Sequence, residues 1–328
     1  MKIILLEVSY NMMIKRTALM KKLFHDPLLY ISLLFLIYPS LPYVGNFLSF
    51  GAELLTWFIF TLGFNLCLRN TGIVSFGHGA FFGVGSYATA LSYLHIFGKD
   101  SFVMPIILGA ITGTLFAAFL GFFIRNKKGI YYALLTVVFT EVLYVICWKW
   151  TEVTGGEAGL KDIVRTSFWG IDMTDPTKYY YFIFIIFVIS AVVIRMIAES
   201  NFGKSLQAVK SNPVRSEALG YNVGFYKFAV FTISGFWAGL GGALYCFITQ
   251  SVFASMLNWM KSGDALMATV LGGGLSSFYG PILGSAIFLV SQELVSGFWV
   301  HWRLIFGLAF VVIVLILPTG LLGNVKKG

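Results

Sequence analysis

Residues 102–124 read FVMPIILGAITGTLFAAFLGFFI, a run of 23 residues without one charged side chain. A helix needs about 20 apolar residues to cross the hydrocarbon core of a bilayer, so this stretch predicts a transmembrane helix. Similar runs recur along the whole chain, with polar breaks between them. Ten are found, at approximately residues 28–44, 50–68, 74–96, 102–124, 130–150, 179–198, 227–250, 264–277, 279–298 and 303–318.

The composition of the 328-residue chain points the same way. Hydrophobic residues make up 58% of it and charged residues 11%, against about 45–50% and about 25% in soluble domains. A soluble fold has too little interior to hide this much apolar surface. We therefore predict an all-α integral membrane protein of about ten transmembrane helices. Its transmembrane domain is predicted at residues 28–318, between a cytoplasmic N-terminal segment at 1–27 and a cytoplasmic tail at 319–328.

The net charge of +9 is also typical of nucleic-acid-binding proteins. Here, however, the Lys and Arg residues lie in short clusters between apolar runs, so we expect no nucleic-acid partner. With ten spans and a cytoplasmic N-terminus, 16 of the 23 Lys and Arg residues fall in or beside cytoplasmic segments. Cytoplasmic loops are enriched in these residues, which places both termini in the cytoplasm. No small-residue cleavage site follows the first basic cluster, so the N-terminal segment is expected to be retained.

Two polar connections are longer than the others, one at residues 151–178 outside and one at 199–226 inside. In the second, Asn212 suits a helix cap, Pro213 the first helical position and Gly220 the position after the end. These residues predict a helix of about two turns, which is too short to be stable without a partner surface. The basic residues of this segment would also suit anionic lipid headgroups.

Glycines mark two further places. The third run has five glycines between residues 72 and 85, and GxxxG spacings occur at Gly79, Gly109 and Gly235. Such spacing indicates close helix crossing, and the alternative is an unwound helix that lines a solute path. Residues 272–281 contain too much glycine and proline for one continuous helix. The region 264–298 is therefore either two spans or a re-entrant segment followed by one span.

Four ionisable residues fall at or near membrane depth, namely His78, Glu141, Asp264 and Glu293. A charge there is costly, so each side chain is expected to face protein or water. Glu141 lies near the middle of its run and is interpreted as the only clear mid-span charge. It serves either a hydrogen bond within the bundle or transport itself.

Several functions are disfavoured by the sequence. The three cysteines lie in apolar runs without CxxC spacing, and the four histidines are scattered, so neither a metal site nor a catalytic group is indicated. Gly203-Lys204-Ser205 resembles the end of a phosphate-binding loop, but Ala198 stands where that motif needs glycine and no strand precedes it. We expect the chain not to be an enzyme and to bind no cofactor or metal itself.

Five stretches, in order, resemble the permease subunits of the branched-chain amino-acid ABC importers, the LivM type. They are SFGHGAFFG at 75–83, TGGEAGL at 154–160, residues 203–220, GLGGALY at 239–245, and LGGG at 271–274 with the Gly-Pro pair at 280–281. The resemblance covers residues 45–323 approximately. It implies a type II-like permease bundle in the inner membrane, paired with a second permease of the same or a different kind.

The resemblance also implies two cytoplasmic ATPase subunits, which bind ATP and Mg²⁺, and an external solute-binding protein. Coupling to the ATPase would involve Gly203, Lys204, Asn212, Pro213, Arg215, Glu217, Ala218 and Gly220. The face toward the binding protein would include Thr154, Gly155 and Gly156. The translocation path is assigned to Ser75, His78, Gly79, Phe82, Glu141, Gly273 and Gly274.

Three alternatives stay open at this point. The first is an importer of the same mechanism that carries urea or short amides. An ion-coupled secondary transporter would need charged residues clustered at mid-depth. A membrane enzyme would need His, Asp or Glu clustered at the end of a span. The sequence shows neither cluster, so both of the last two are disfavoured.

Overall fold

The structure is a computed structural model that describes residues 26–40, 47–98, 101–127, 129–168, 170–297, 302–317 and 319–323. Nearly all of the predicted N-terminal segment and the end of the predicted tail therefore lie outside the described residues. The chain divides into two units, residues 1–46 and residues 47–328. The first unit contains helix α1 (Pro27–Ile37), which begins after Asp26, whose carboxylate accepts a hydrogen bond from the Leu28 amide.

The second unit is a helical bundle. Its helices are α2 (Leu48–Thr71), α3 (His78–Ser92), α4 (Val103–Ile124), α5 (Ile130–Lys149), α6 (Thr151–Thr154), α7 (Pro176–Glu199), α8 (Asn201–Ser211), α9 (Pro213–Ala218), α10 (Val223–Thr249), α11 (Trp259–Gly272), α12 (Gly280–Ser296) and α13 (Trp302–Ile316). A π-helical turn (Tyr93–Phe97) continues α3. The two-residue strands β1 (Ser167–Phe168) and β2 (Ile171–Asp172) pair antiparallel.

The all-α prediction is confirmed, and each of the ten predicted runs overlaps a helix. Five helices in the described part of the chain are long and apolar enough to cross a membrane, namely α2, α4, α5, α7 and α10. The other five helices at predicted spans, α1, α3, α11, α12 and α13, are shorter, at 11 to 17 residues. Ten crossings therefore stay a prediction.

Helices α2 and α10 form the centre of the bundle. Nearly every side chain of α2 is buried, whereas most of α5 faces outward. Helix α10 packs on α2, α3 and α4, and glycines let the backbones meet. A Cβ atom on Gly113 would lie 2.7 Å from the Gly239 Cα, and one on Gly242 would collide with the Phe82 carbonyl. Close crossing at the glycine-rich segments is thereby confirmed.

The bundle has two ends with different covers. The loop end carries residues 151–175, and the hairpin end carries residues 200–222, where α8 and α9 form a helical hairpin. Helix α7 runs from the loop end to the hairpin end, and α10 runs back. The two polar connections predicted from sequence therefore lie at opposite ends of these long helices.

The predicted third span is helical only from residue 78, and residues 72–77 are not helical. Hydroxyl groups of two other helices satisfy the backbone of this unwound segment. The Phe76 amide donates to Thr136 Oγ1 (3.0 Å), and the Phe76 carbonyl accepts from Thr140 Oγ1 (3.1 Å) and Ser262 Oγ (2.8 Å). Irregular backbone at membrane depth is tolerated where protein satisfies it in this way.

Helix α11 occupies residues 259–272, five residues earlier than the predicted run at 264–277. The reason is that Asn258 caps the helix, its side chain accepting from the Met260 amide at 2.9 Å. The polar residues that follow are thus helical, although they are absent from the apolar run. The helix ends at Gly272 and is capped by Gly273, which has φ +85°. A turn then leads to α12 at Gly280, as the glycine-rich stretch predicts.

Candidate functional site

A cavity of about 510 Å³ opens at the loop end of the bundle. Its walls come from α2, α5, α10, α11, α12, α13 and the connection between α10 and α11. Polar and apolar groups contribute about equally to the lining. The lining residues are Glu53, Trp57, Tyr144, Tyr245, Thr249, Ser251, Phe253, Ser255, Met256, Asn258, Met260, Lys261, Asp264, Leu289, Gln292 and Arg303.

Lys261 lies at the floor of this cavity, in the first turn of α11. Its Nζ atom lies 4.4 Å from the centre of the Trp57 ring, 4.9 Å from Tyr245 and 5.0 Å from Phe82. These distances are within the range of cation–π attraction. The three rings, which come from α2, α3 and α10, therefore form an aromatic cage around the ammonium group.

Two carboxylates and a second cation complete the charged lining. Glu53 accepts a hydrogen bond from the Tyr245 hydroxyl at 3.5 Å. Asp264 lies one turn after Lys261 on α11, and Arg303 comes from the start of α13. The described lining thus holds two negative and two positive side chains, so the cavity suits a solute without net charge.

No group of three or more His, Cys, Asp or Glu residues within the described ranges is arranged to hold a metal ion. The chemistry that the cavity offers is instead ion pairing, hydrogen bonding and contact with aromatic rings. These are interactions for binding a small polar solute.

Two of the residues predicted to line a translocation path lie directly beneath the cavity. The Phe82 ring belongs to the Lys261 cage, and a Cβ atom on Gly79 would lie 2.8 Å from the Asn258 carbonyl oxygen. Glu141 lies on α5 one turn before Tyr144, which lines the cavity. Its Oε1 atom is buried and has no hydrogen-bond partner among the described residues.

The other predicted path residues are placed elsewhere. His78 is fully buried among aromatic rings, with its Nε2 atom 2.9 Å from Ser234 Oγ. Ser75 accepts from the Gly77 amide at 3.1 Å within the unwound segment. Gly273 and Gly274 form the turn after α11, at the end of that helix away from Lys261. The structure therefore does not bring the seven predicted path residues together.

The predicted coupling segment folds as a two-helix hairpin. Asn212 caps α9 by accepting from the Arg215 amide at 2.9 Å, Pro213 is the first residue of the helix, and Gly220 follows its end with φ +88°. The predicted short helix is confirmed. Gly203 lies at the start of α8, where a Cβ atom would collide with the Ala198 carbonyl, so glycine permits the sharp turn from α7.

The hairpin is attached to the bundle mainly through α8. Leu206 and Val209 are buried, and the Lys210 ammonium donates to the Arg69 carbonyl of α2 at 2.9 Å. This contact places a cation at the carboxyl end of α2, where the helix dipole is negative. Burial, and then the Arg69 guanidinium, lowers the pKa of Lys210. By contrast Lys204, Arg215, Glu217 and Ala218 are exposed.

The predicted binding-protein face lies beside the rim of the cavity. The Thr154 hydroxyl donates to the Trp150 carbonyl (2.7 Å), and Gly155 and Gly156 have φ of +72° and +58°. Leu160 pairs with Val252 through two backbone hydrogen bonds of 2.9 and 2.8 Å. This pairing joins the turn at residues 154–156, here called the TGG turn, to the segment between α10 and α11, whose residues line the cavity.

A family model described as the permease component of branched-chain amino acid transport systems matches residues 46–317. The chain belongs to this family. It is accordingly a multi-pass membrane protein of the transporter permease class, and the resemblance read from its five motifs is confirmed.

Several transport permeases are identical to the chain at about a quarter of the aligned residues. The high-affinity branched-chain amino acid transport system permease protein LivM of Escherichia coli is 27% identical over 292 residues, which cover 81% of this chain and 67% of that protein. The probable branched-chain amino acid transport permease protein LivH of Methanocaldococcus jannaschii is 25% identical, covering 81% and 88%. The nucleoside ABC transporter permease protein NupC of Lactococcus lactis is 23% identical, covering 74% of each.

No solved structure matches the chain at a significant level.

The charged cavity was missed by the sequence interpretation. Glu141 was taken as the only clear mid-span charge, and Glu53, which lies near the start of the long helix α2 and lines the cavity, was not considered. Lys261, in the first turn of α11, was not singled out. The available signal was Glu53 within the predicted run at 50–68, together with Lys261 three positions before Asp264, the first residue of the run at 264–277.

Proposed function

We propose that the chain is the membrane-spanning subunit of an ATP-driven ABC importer, in which helix α9 is the docking site for an ATPase subunit. The observation that carries this proposal is the α8–α9 hairpin. A helix of six residues is not stable by itself. Here it is held at both ends, by the Asn212 cap and by the turn at Gly220, and it is presented on the outer surface of the bundle.

The exposed face of α9 has the character of an unoccupied interface. Val214 and Leu219 are 71% and 70% exposed, and Arg215 and Ala218 are exposed beside them. Two exposed apolar side chains around an arginine are typical of a protein contact. Anionic lipid headgroups would account for the arginine but would leave the positions of Val214 and Leu219 unexplained.

The attachment of the hairpin suits the transmission of movement. A rigid helix that is clamped to the bundle passes a displacement on, whereas a loose loop absorbs it. Lys210 clamps α8 to the end of α2, and the half of α2 nearer the loop end carries Glu53 and Trp57 of the cavity. ATP binding in partner subunits would move α9, and α2 would carry that movement toward the cavity.

The remaining partners follow from the two ends of the bundle. The hairpin end faces the cytoplasm, where two ATPase subunits bind ATP and Mg²⁺, and both chain termini lie on that side of the inner membrane. The loop end faces outward, and its TGG turn and cavity rim meet a solute-binding protein. A second permease subunit completes the pathway across the bilayer.

Amino acids are the cargo best supported by the comparisons. LivM and LivH are by name permeases for branched-chain amino acids, and the mixed-charge cavity suits a molecule that carries both charges. The nucleoside cargo named for the distant NupC relative, and urea or short amides, carry no charge pair. These solutes would leave the charged side chains of the cavity without partners.

Co-purification tests the proposal. The chain is co-expressed with candidate ATPase subunits and extracted in detergent, and the retained ATPase is quantified for wild type and for the double variant Arg215→Glu/Ala218→Asp. Wild type should retain the ATPase and the double variant should lose it while remaining monodisperse. The matched control is Lys178→Glu, which changes an exposed cation at the loop end. Retention by the double variant at the wild-type level would refute docking at α9.

A further inference from the structure

The cage at the floor of the cavity holds a cation with unused hydrogen-bonding capacity. An ammonium group has three donors, yet Lys261 makes no hydrogen bond to an oxygen atom in the described part of the chain. No described carboxylate lies within 4.0 Å of its Nζ atom. The ring faces hold the cation in place and leave its donors for an acceptor that enters from the cavity.

The carboxylate of Glu53 is the complementary group. It accepts a hydrogen bond from the Tyr245 hydroxyl, and this bond holds it beside the cage. A carboxylate has about four acceptor positions, so Glu53, which lines the cavity, keeps positions for a ligand. Tyr245 therefore belongs to both groups, with its ring against Lys261 and its hydroxyl on Glu53.

We propose that the cavity is a binding site for a zwitterionic α-amino acid, in which Lys261 binds the carboxylate and Glu53 binds the ammonium group of the ligand. This assignment rests on the proposed function and adds to it a site within the permease itself. Each charged group of the ligand would meet an oppositely charged side chain that is already held in position. The apolar part of the lining, including Met256 and Leu289, would receive an aliphatic side chain.

The charge balance of the lining decides the ligand class. A simple anion would meet Lys261 and Arg303 but also the repulsion of Glu53 and Asp264, and a simple cation would meet the reverse. A zwitterion satisfies both signs at once. The volume of about 510 Å³ lies within the range usual for small-molecule sites.

Three probes of similar shape test the assignment. L-leucine carries both charges, 4-methylpentanoate lacks the ammonium group, and leucinamide lacks the carboxylate. Binding to the purified permease, with its co-expressed partners and without ATP or binding protein, is measured from the rise in Tm over a concentration series of each probe. Leucine should bind more tightly than either analogue by about tenfold or more, because each missing charge removes a charge-assisted hydrogen bond.

Two variants should give opposite patterns. Lys261→Met should weaken the binding of leucine and of 4-methylpentanoate by about tenfold or more, and it should leave the binding of leucinamide unchanged. Glu53→Gln keeps an acceptor for Tyr245. This variant should weaken the binding of leucine and of leucinamide and leave the binding of 4-methylpentanoate unchanged. General misfolding would weaken the binding of all three probes together, so it would not produce this crossed pattern. Lys178→Met, at the loop end outside the cavity lining, should bind every probe as wild type does.

Two outcomes would overturn the assignment. One is that wild type binds leucine no better than the two analogues, and the other is that Lys261→Met binds leucine with wild-type affinity. The proposed function is judged separately, by ATPase retention in the absence of any solute. A complex that retains its ATPase but shows no crossed pattern refutes this site alone, whereas loss of the ATPase refutes the importer proposal and leaves the binding result standing.

Discussion

Ser262 stabilises a helix to which it does not belong. Helix α3 begins after Gly77, which has no side chain to cap it. The Ser262 hydroxyl, from α11, accepts from the Gly79 amide at 2.6 Å and donates to the Phe76 carbonyl at 2.8 Å. It therefore satisfies one of the free amides of the first turn of α3 and anchors the unwound segment before it.

Replacing this hydroxyl should destabilise the fold. Ser262→Ala would leave the Gly79 amide buried without its partner, at a cost of about 1–3 kcal/mol. We expect a lower Tm for the purified protein in detergent. Ser205→Ala is the matched control, because the Ser205 hydroxyl is exposed and bonds only within its own helix. Equal Tm values for the two variants would contradict the capping role of Ser262.

Adding a single methyl group at Gly242 tests the close crossing of α3 and α10. A Cβ atom there would collide with the Phe82 carbonyl of α3, and because backbone atoms cannot rotate away, α3 and α10 would have to separate. Overpacking of this kind costs about 1–3 kcal/mol, so Gly242→Ala should lower Tm and the yield of monodisperse protein. Gly307→Ala, which meets open space, should leave both near wild type. A wild-type Tm for Gly242→Ala would refute the crossing.

At the scale of elements, one hydrogen bond among the described residues joins the hairpin to α2. Lys210→Met would remove the bond to the Arg69 carbonyl, and with it the cation at the end of α2. Since this contact is exposed, its loss should cost stability only about 0.5–1 kcal/mol. Solute uptake per ATP hydrolysed in proteoliposomes should nevertheless fall, because α8 would no longer be clamped to α2.

Two further variants make this result interpretable. Lys204→Met removes a cation from the same helix at a position exposed to solvent, and it should leave the coupling ratio unchanged. Lys210→Arg restores a donor and should recover part of the ratio. If Lys204→Met and Lys210→Met reduce the ratio equally, the general charge of the hairpin is responsible and not the contact with α2.

The elements themselves were largely predictable from the sequence, and their contacts were not. Apolar run length located α2, α4 and α10 to within a few residues, and the Asn-Pro pair with a later glycine located α9. These signals are local. The start of α11 was misplaced because its cap, Asn258, precedes a polar first turn that hydropathy does not register as helix.

The site depended on contacts that are distant in sequence. The cage joins Trp57, Phe82, Tyr245 and Lys261, which come from four helices. An aromatic residue in an apolar run looks the same whether it faces lipid, core or a cation. Only the packing of α2, α3, α10 and α11 distinguishes these cases, so the sequence could indicate single charged residues but not the cavity that collects them.

For the whole molecule, the two ends of the bundle should be accessible to reagents from opposite sides of the membrane. Asp172 lies exposed at the loop end, where the Thr174 hydroxyl and amide donate to its carboxylate and lower its pKa. Glu217 lies exposed on α9 at the hairpin end. The excess of Lys and Arg in and beside the segments on the hairpin side predicts that this end faces the cytoplasm.

Cysteine labelling measures this orientation directly. Asp172→Cys and Glu217→Cys are placed in a Cys147→Ser background, because Cys67 and Cys246 are buried and Cys147 is not. A membrane-impermeant maleimide should label the cysteine at 172 in intact spheroplasts, and the one at 217 only after the membrane is opened. The background chain alone should stay unlabelled. The reverse pattern would mean that the bundle is inverted and that α9 lies where no cytoplasmic ATPase can reach it. Labelling of both cysteines in intact spheroplasts would mean that the long helices do not separate the two ends across the bilayer.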